Sequence, residues 1–113
     1  MRWLFLLALA LGACSKGPDA DLPSIGEARS LAAEWALVNE QDAQGKLTAS
    51  YVRTMRQSVR EQLQTAASSL TEPQSTYGAE IAALLREPDD AAPQHLRSRA
   101  EKLRQIEDSL ESA

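Results

Sequence analysis

The chain has one cysteine, one histidine and one phenylalanine in 113 residues, and aromatic side chains make up only 4% of it. A structural zinc site needs about four Cys or His ligands, and a catalytic thiol or imidazole needs an orienting partner. Cys14 and His95 supply neither set. No glycine-rich phosphate loop, Ser/His/Asp arrangement or paired buried carboxylates can be assembled from what is left. The sequence therefore predicts a protein that is not an enzyme and holds no metal. Strands are also missing: β-branched residues are few, and no run alternates apolar with polar side chains. The longest apolar run, from Trp3 to Leu11, has nine residues, well short of the roughly 20 needed to span a bilayer.

That short run is preceded by Arg2 and followed by small residues, the make-up of a secretory leader. It ends Leu11-Gly12-Ala13-Cys14, which resembles the lipobox of bacterial lipoproteins. The resemblance implies a leader over residues 1–13, cleavage between Ala13 and Cys14, a diacylglyceryl group on the Cys14 thiol and often an acyl chain on the new amino group. Beyond these covalent lipid chains no cofactor is expected. The alternative is an ordinary leader with a chance cysteine near its cut. Each buried methylene contributes about 0.8 kcal/mol, and stable attachment takes two chains, which this modification supplies. In Gram-negative lipoproteins an Asp after the cysteine favours the inner membrane. Here Ser15 follows, implying the periplasmic face of the outer membrane.

Removal of residues 1–13 leaves 100 residues, enough for one small domain. Arg2 leaves with them, so 11 basic residues face 16 acidic ones and the net charge moves from −4 to −5. Such a chain is a poor ligand for nucleic acid or for anionic surfaces. The remaining 11 Leu, 3 Ile and 3 Val fall below the roughly 20% that marks a well-stocked core. Against this stand 16 Ala, with many Glu, Gln and Arg, all strong helix formers. The expectation is all-α: a small helical bundle, or a long antiparallel hairpin with additional C-terminal helices and a loosely attached arm.

Residues 14–23 carry the lipidated cysteine and then SKGPDADLP, read as a flexible tether that could reach about 30 Å. The domain is expected over residues 24–113. Ser24 and Glu27 fit a capping box, opening a helix over about residues 25–44 that Gly45 stops. Its apolar stripe is Ala28, Leu31, Trp35 and Val38, widened by Ile25 and Ala32. Thr48 caps a second helix over about 48–70, where Val52, Met55, Val59, Leu63, Ala66 and Leu70 recur at helical spacing. The short connection predicts an antiparallel pair. A third helix over about 77–86 carries Ile81, Leu84 and Leu85. A fourth, over about 93–110, starts at Pro93 and carries Leu96, Ala100, Leu103, Ile106 and Leu110. Its acidic end opposes the helix dipole, predicting fraying.

Several features are candidate sites. Arg53, Arg56 and Arg60 form a basic line on the second helix, a candidate partner-binding strip because guanidinium forks suit carboxylates and phosphates. The plainer reading pairs them with Glu34, Glu40 or Glu61. Trp35 is the expected core anchor, or else an interface residue. Asp89-Asp90 reads as helix-start capping, since the spacing of a calcium loop is absent, and His95 as an exposed polar residue. Asn39 and Tyr51 flank the hairpin turn and are candidates for a bond across it.

The stretch EWALVNEQDAQGKLTASYVRTMRQSVREQL, residues 34–63, is similar to a segment of short, uncharacterised lipoproteins of alphaproteobacteria. The resemblance implies an envelope protein and carries no site residues. Leu47-Thr48 matches the first two residues of a Leu-Thr-x-x-Gln motif of periplasmic helical-hairpin chaperones, but Tyr51 stands where Gln belongs. Two functions follow as expectations. One is a lipid-anchored, non-catalytic interaction module that docks on an envelope protein. The other is a chaperone-like or ligand-binding helical hairpin.

Overall fold

Pro18 opens the first helix, and its placement changes the reading of the tether. In the computed structural model, which describes residues 17–113, α1 spans Pro18–Ala43. Residues 18–23 are therefore helix, and Ser24 and Glu27 lie inside α1 instead of forming its cap. Pro18 sits in the first turn, where its missing N–H costs nothing. Asp19 and Asp21 favour that turn through the helix dipole. Pro23 does sacrifice an intrahelical bond to residue 19, but both residues are exposed, so the freed carbonyl is open to solvent. The leader, its cleavage point and Cys14 lie outside the described residues.

At its far end α1 stops as expected. Gly45 adopts φ 71°, its N–H donates to Asp42 O at 3.0 Å, and Lys46 N–H donates to Gln41 O at 3.0 Å. This pair of bonds is a Schellman motif. Helix α2 spans Ala49–Ser68, and the Thr48 side chain accepts from Tyr51 N. Helix α3 spans Thr76–Leu85, capped by Ser75, whose side chain accepts from Gly78 N. Helix α4 spans Pro93–Ser112, with Pro93 in its first turn, so it runs slightly past the expected end. Among the described residues there is no strand.

The helices form a bundle about α1. Arg29 Nε donates to Glu107 Oε1 at 2.8 Å close to the middle of α1, and Arg97 pairs with Glu40 near its end, so α4 runs antiparallel to α1. The fourth helix is thus docked, not a loose arm. Helix α2 packs antiparallel on another side, and α3 bridges α2 and α4. Clamped between partners, α1 buries more than one stripe: Ile25, Ala28, Leu31, Ala32, Trp35 and Ala36 are all in the core. The expected stripes of the other helices meet them through Val59, Leu63, Ile81, Leu84, Leu96 and Leu103. Met55, Leu70, Leu85, Ile106 and Leu110 are only half-buried. Alanines let α1 approach its neighbours closely, which is how a chain poor in large aliphatics still closes a core.

Gly78 marks a close backbone approach. A Cβ there would lie 2.2 Å from the Pro73 carbonyl oxygen and 2.7 Å from its carbon. Both are backbone atoms and cannot swing aside. Gly78→Ala should therefore destabilise by about 2 kcal/mol through overpacking, although alanine is the better helix former by about 1 kcal/mol. Calorimetry should show a melting temperature lower by about 10 °C. A rise would mean that the 73–78 turn relaxes freely.

Candidate functional site

The basic line predicted on α2 does come together, though its partners differ from the expected ones. Arg60 donates from Nη1 to Leu85 O at 2.8 Å, and from Nη2 to Glu87 O at 3.0 Å and Asp89 Oδ1 at 2.8 Å. It thereby satisfies carbonyls at the C-terminal end of α3, where a cation is favoured. Its guanidinium lies 5.2 Å from the centre of the Trp35 ring, within cation–π range. Arg56 Nε donates to Asn39 Oδ1 at 2.9 Å, and Nη2 to Asp42 Oδ2 at 3.3 Å. Arg53 is exposed and takes part in no side-chain hydrogen bond or ion pair among the described residues.

None of the arginine partners named from sequence is the one found. Glu40 faces α4 and pairs with Arg97, and Glu61 accepts from Gln57 on its own helix. Asn39 is buried and does not reach Tyr51. Its Nδ2 donates to Asp89 O at 3.0 Å and to Ala91 O at 2.8 Å. Trp35 is the buried anchor that was expected, and its Nε1 also donates to Asp89 O at 2.9 Å. The α3–α4 loop is thus held by two α1 side chains and one from α2. Asp89 serves that clamp and caps no helix; the residue ahead of α4 is Ala92, which makes no side-chain cap bond.

Arg53, Arg56 and Arg60 line one open cavity of about 420 Å³ between α2 and this loop. Val52 lines its apolar part, and Asp42 and Asp89 stand on its sides. His95 lies elsewhere: its exposed ring places Nε2 2.6 Å from Glu87 Oε2, which also accepts from Arg99 Nε at 2.6 Å. Among the described residues no group of His, Cys, Asp or Glu is placed to hold a metal ion.

A second polar cluster escaped the sequence reading. Asp21 is completely buried. Its carboxylate accepts from Thr71 N at 2.7 Å, Thr71 Oγ1 at 3.0 Å, Glu72 N at 3.1 Å and Tyr77 Oη at 2.6 Å. The start of α1 is thereby riveted to the α2–α3 turn. Burial alone pushes the Asp21 carboxyl up, but the hydrogen bonds from Tyr77, Thr71 and Glu72 outweigh it and hold the group below its ordinary 3.8. Burial, with Asp21 beside it, pushes the Tyr77 phenol up to about 12. The only sequence signal was an acidic residue between two prolines, which reads equally well as linker.

The signs of these shifts fix a pH window. The Asp21 contribution is complete above 3.8 and is lost as pH falls through the lower folded value. The Tyr77 contribution is complete below 10.0 and is lost as pH rises towards about 12. The stability gap between the wild type and Tyr77→Phe should therefore stay constant at neutral pH and shrink between 10.0 and about 12. Urea midpoints measured across that range check it; a constant gap would show that the phenol ionises as readily folded as unfolded.

Among the described residues, fold and site together define a four-helix domain with a central helix packed against the other three and an arginine-lined groove. No family model, curated protein or solved structure matches the chain.

Proposed function

We infer that the chain is a lipid-anchored envelope protein whose helical domain is a non-catalytic interaction module, with Arg53, Arg56 and Arg60 as its partner-binding residues. The observation that carries the reading is Cys14 at the end of Leu11-Gly12-Ala13-Cys14. Among the described residues no helix is long and apolar enough to cross a membrane. With α1 starting at Pro18, residues 14 to 17 reach about 10 Å at full extension. An acylated Cys14 would hold the domain against the headgroups, not 30 Å above them. Ser15 favours the periplasmic face of the outer membrane as the address. The chaperone-like alternative wants an apolar cradle. The exposed large apolar side chains among the described residues are Leu37 and Tyr51, each 49% exposed and on different helices, which lends it less support.

Metabolic labelling with an alkyne palmitate analogue tests the anchor. The wild type should be labelled and fractionate with membranes, and Cys14→Ser should lose both properties. An unlabelled wild type, or a serine variant that still fractionates with the envelope, would overturn the anchor.

A further inference from the structure

Resting on the interaction reading above, we propose that the groove between α2 and the α3–α4 loop docks an extended acidic segment of a partner protein through its carboxylates. The charge in the groove is held in place and only partly cancelled. Arg60 directs two of its bonds to backbone carbonyls, and Arg56 directs one to the Asn39 amide oxygen. These acceptors fix the guanidinium groups but bring no formal negative charge. The carboxylates that do reach them are solvent-facing, with Asp42 40% and Asp89 67% exposed. Arg53 is exposed and unpaired among the described residues. Three cations thus face two solvent-facing anions, an excess of one positive charge on a chain whose net charge is −4.

Geometry selects an extended peptide. Along α2 the rise is about 1.5 Å per residue, so Arg56 and Arg60 are separated by about 6 Å along the axis. In an extended chain, side chains on one face recur every second residue, about 6.7 Å apart. Carboxylates on one face of such a chain therefore match Arg56 and Arg60, while Arg53, about 4.5 Å further back along the axis, meets the segment as an exposed, freely turning cation. The cavity of about 420 Å³ lies within the usual range for ligand sites, about 300–1,000 Å³. Because Arg56 and Arg60 are already immobilised, little rotamer entropy is left to lose on binding. An arriving carboxylate at Arg60 exchanges with Asp89.

The test is NMR titration of the full chain in detergent micelles with a short acetylated, amidated peptide of alternating serine and glutamate. The same peptide with glutamine for glutamate, and inorganic phosphate, are the controls. Saturable shifts are expected at the Nε–H signals of Arg53, Arg56 and Arg60 and at the Trp35 indole N–H, which senses Arg60 and Asp89. Arg53→Gln, whose native side chain supports no other group, should weaken binding about tenfold, and Asp89→Asn should strengthen it. A structural disturbance would not produce these opposite signs. Absence of saturation by about 10 mM glutamate peptide, equal binding of the glutamine peptide, unchanged affinity in Arg53→Gln, or phosphate binding as tightly as the peptide (an adventitious ion only) would each overturn the proposal. Cys14→Ser should bind the glutamate peptide as the wild type does, so failure of the anchor and failure of the groove read out separately.

Discussion

Replacing Asp21 with alanine should lower the unfolding free energy by about 4 kcal/mol, a large fraction of the roughly 5–15 kcal/mol available to a domain of this size. The carboxylate is fully buried and takes four hydrogen bonds. Its removal strands the N–H groups of Thr71 and Glu72 and the Tyr77 hydroxyl, at about 1–3 kcal/mol for each group that water cannot reach. Water reaches the exposed turn more easily than the buried phenol, so the total falls below the simple sum. Asp21→Asn should recover less than half, because its amide N–H₂ faces groups that are themselves donors. Tyr77→Phe removes one donor along with the bond and should cost about 1–2 kcal/mol. Urea unfolding followed by far-ultraviolet circular dichroism measures all three. A loss below about 1 kcal/mol for the alanine variant would mean that the rivet contributes little and that the helix start is held by packing alone.

Trp35→Ala is expected to cost about 3–5 kcal/mol, the usual range for deleting a fully buried large aromatic. Its ring is 2% exposed, its indole N–H donates to the Asp89 carbonyl, and Arg60 lies over its face. The substitution opens a cavity and loosens the α3–α4 loop together. Trp35→Phe keeps most of the buried area and loses the hydrogen bond, so it should cost about 1–2 kcal/mol. Hydrogen exchange separates the two effects: in Trp35→Phe the amides of residues 86–92 should exchange faster while those of α1 stay protected. Equal protection of the loop in wild type and variant would show that Asn39 and Arg60 hold it without the indole.

The four helices were legible because each carries its own periodicity and most carry their own stop. Thr48 and Gly45 act through bonds within a few residues, so local spacing announces them. Asp21 could not be read in that way. Two prolines and a glycine suggested a linker, and the hydrogen bonds that override this suggestion come from residues 71 to 77, about 50 positions away. The arginine line was visible as spacing on one helix, but its partners were not. Whether Arg56 meets Glu40 or Asp42 depends on the rotation of α1 against α2, and the burial of α1 between two neighbours sets that rotation. Glu40 belongs to the side that α4 covers.

The Asp21 rivet also decides how the domain bears load. Tension on the chain upstream of Gly17 enters the fold at the first turn of α1 and meets the Asp21–Thr71 and Asp21–Tyr77 bonds almost at once. Behind them stand the Arg29–Glu107 pair and the long α1–α4 seam. Pulled along its axis, α1 must slide past two neighbours simultaneously, so these contacts resist in parallel and the domain is strongest in that direction. Pulled sideways, the same contacts give way in succession, and the first turn peels off before the core is disturbed.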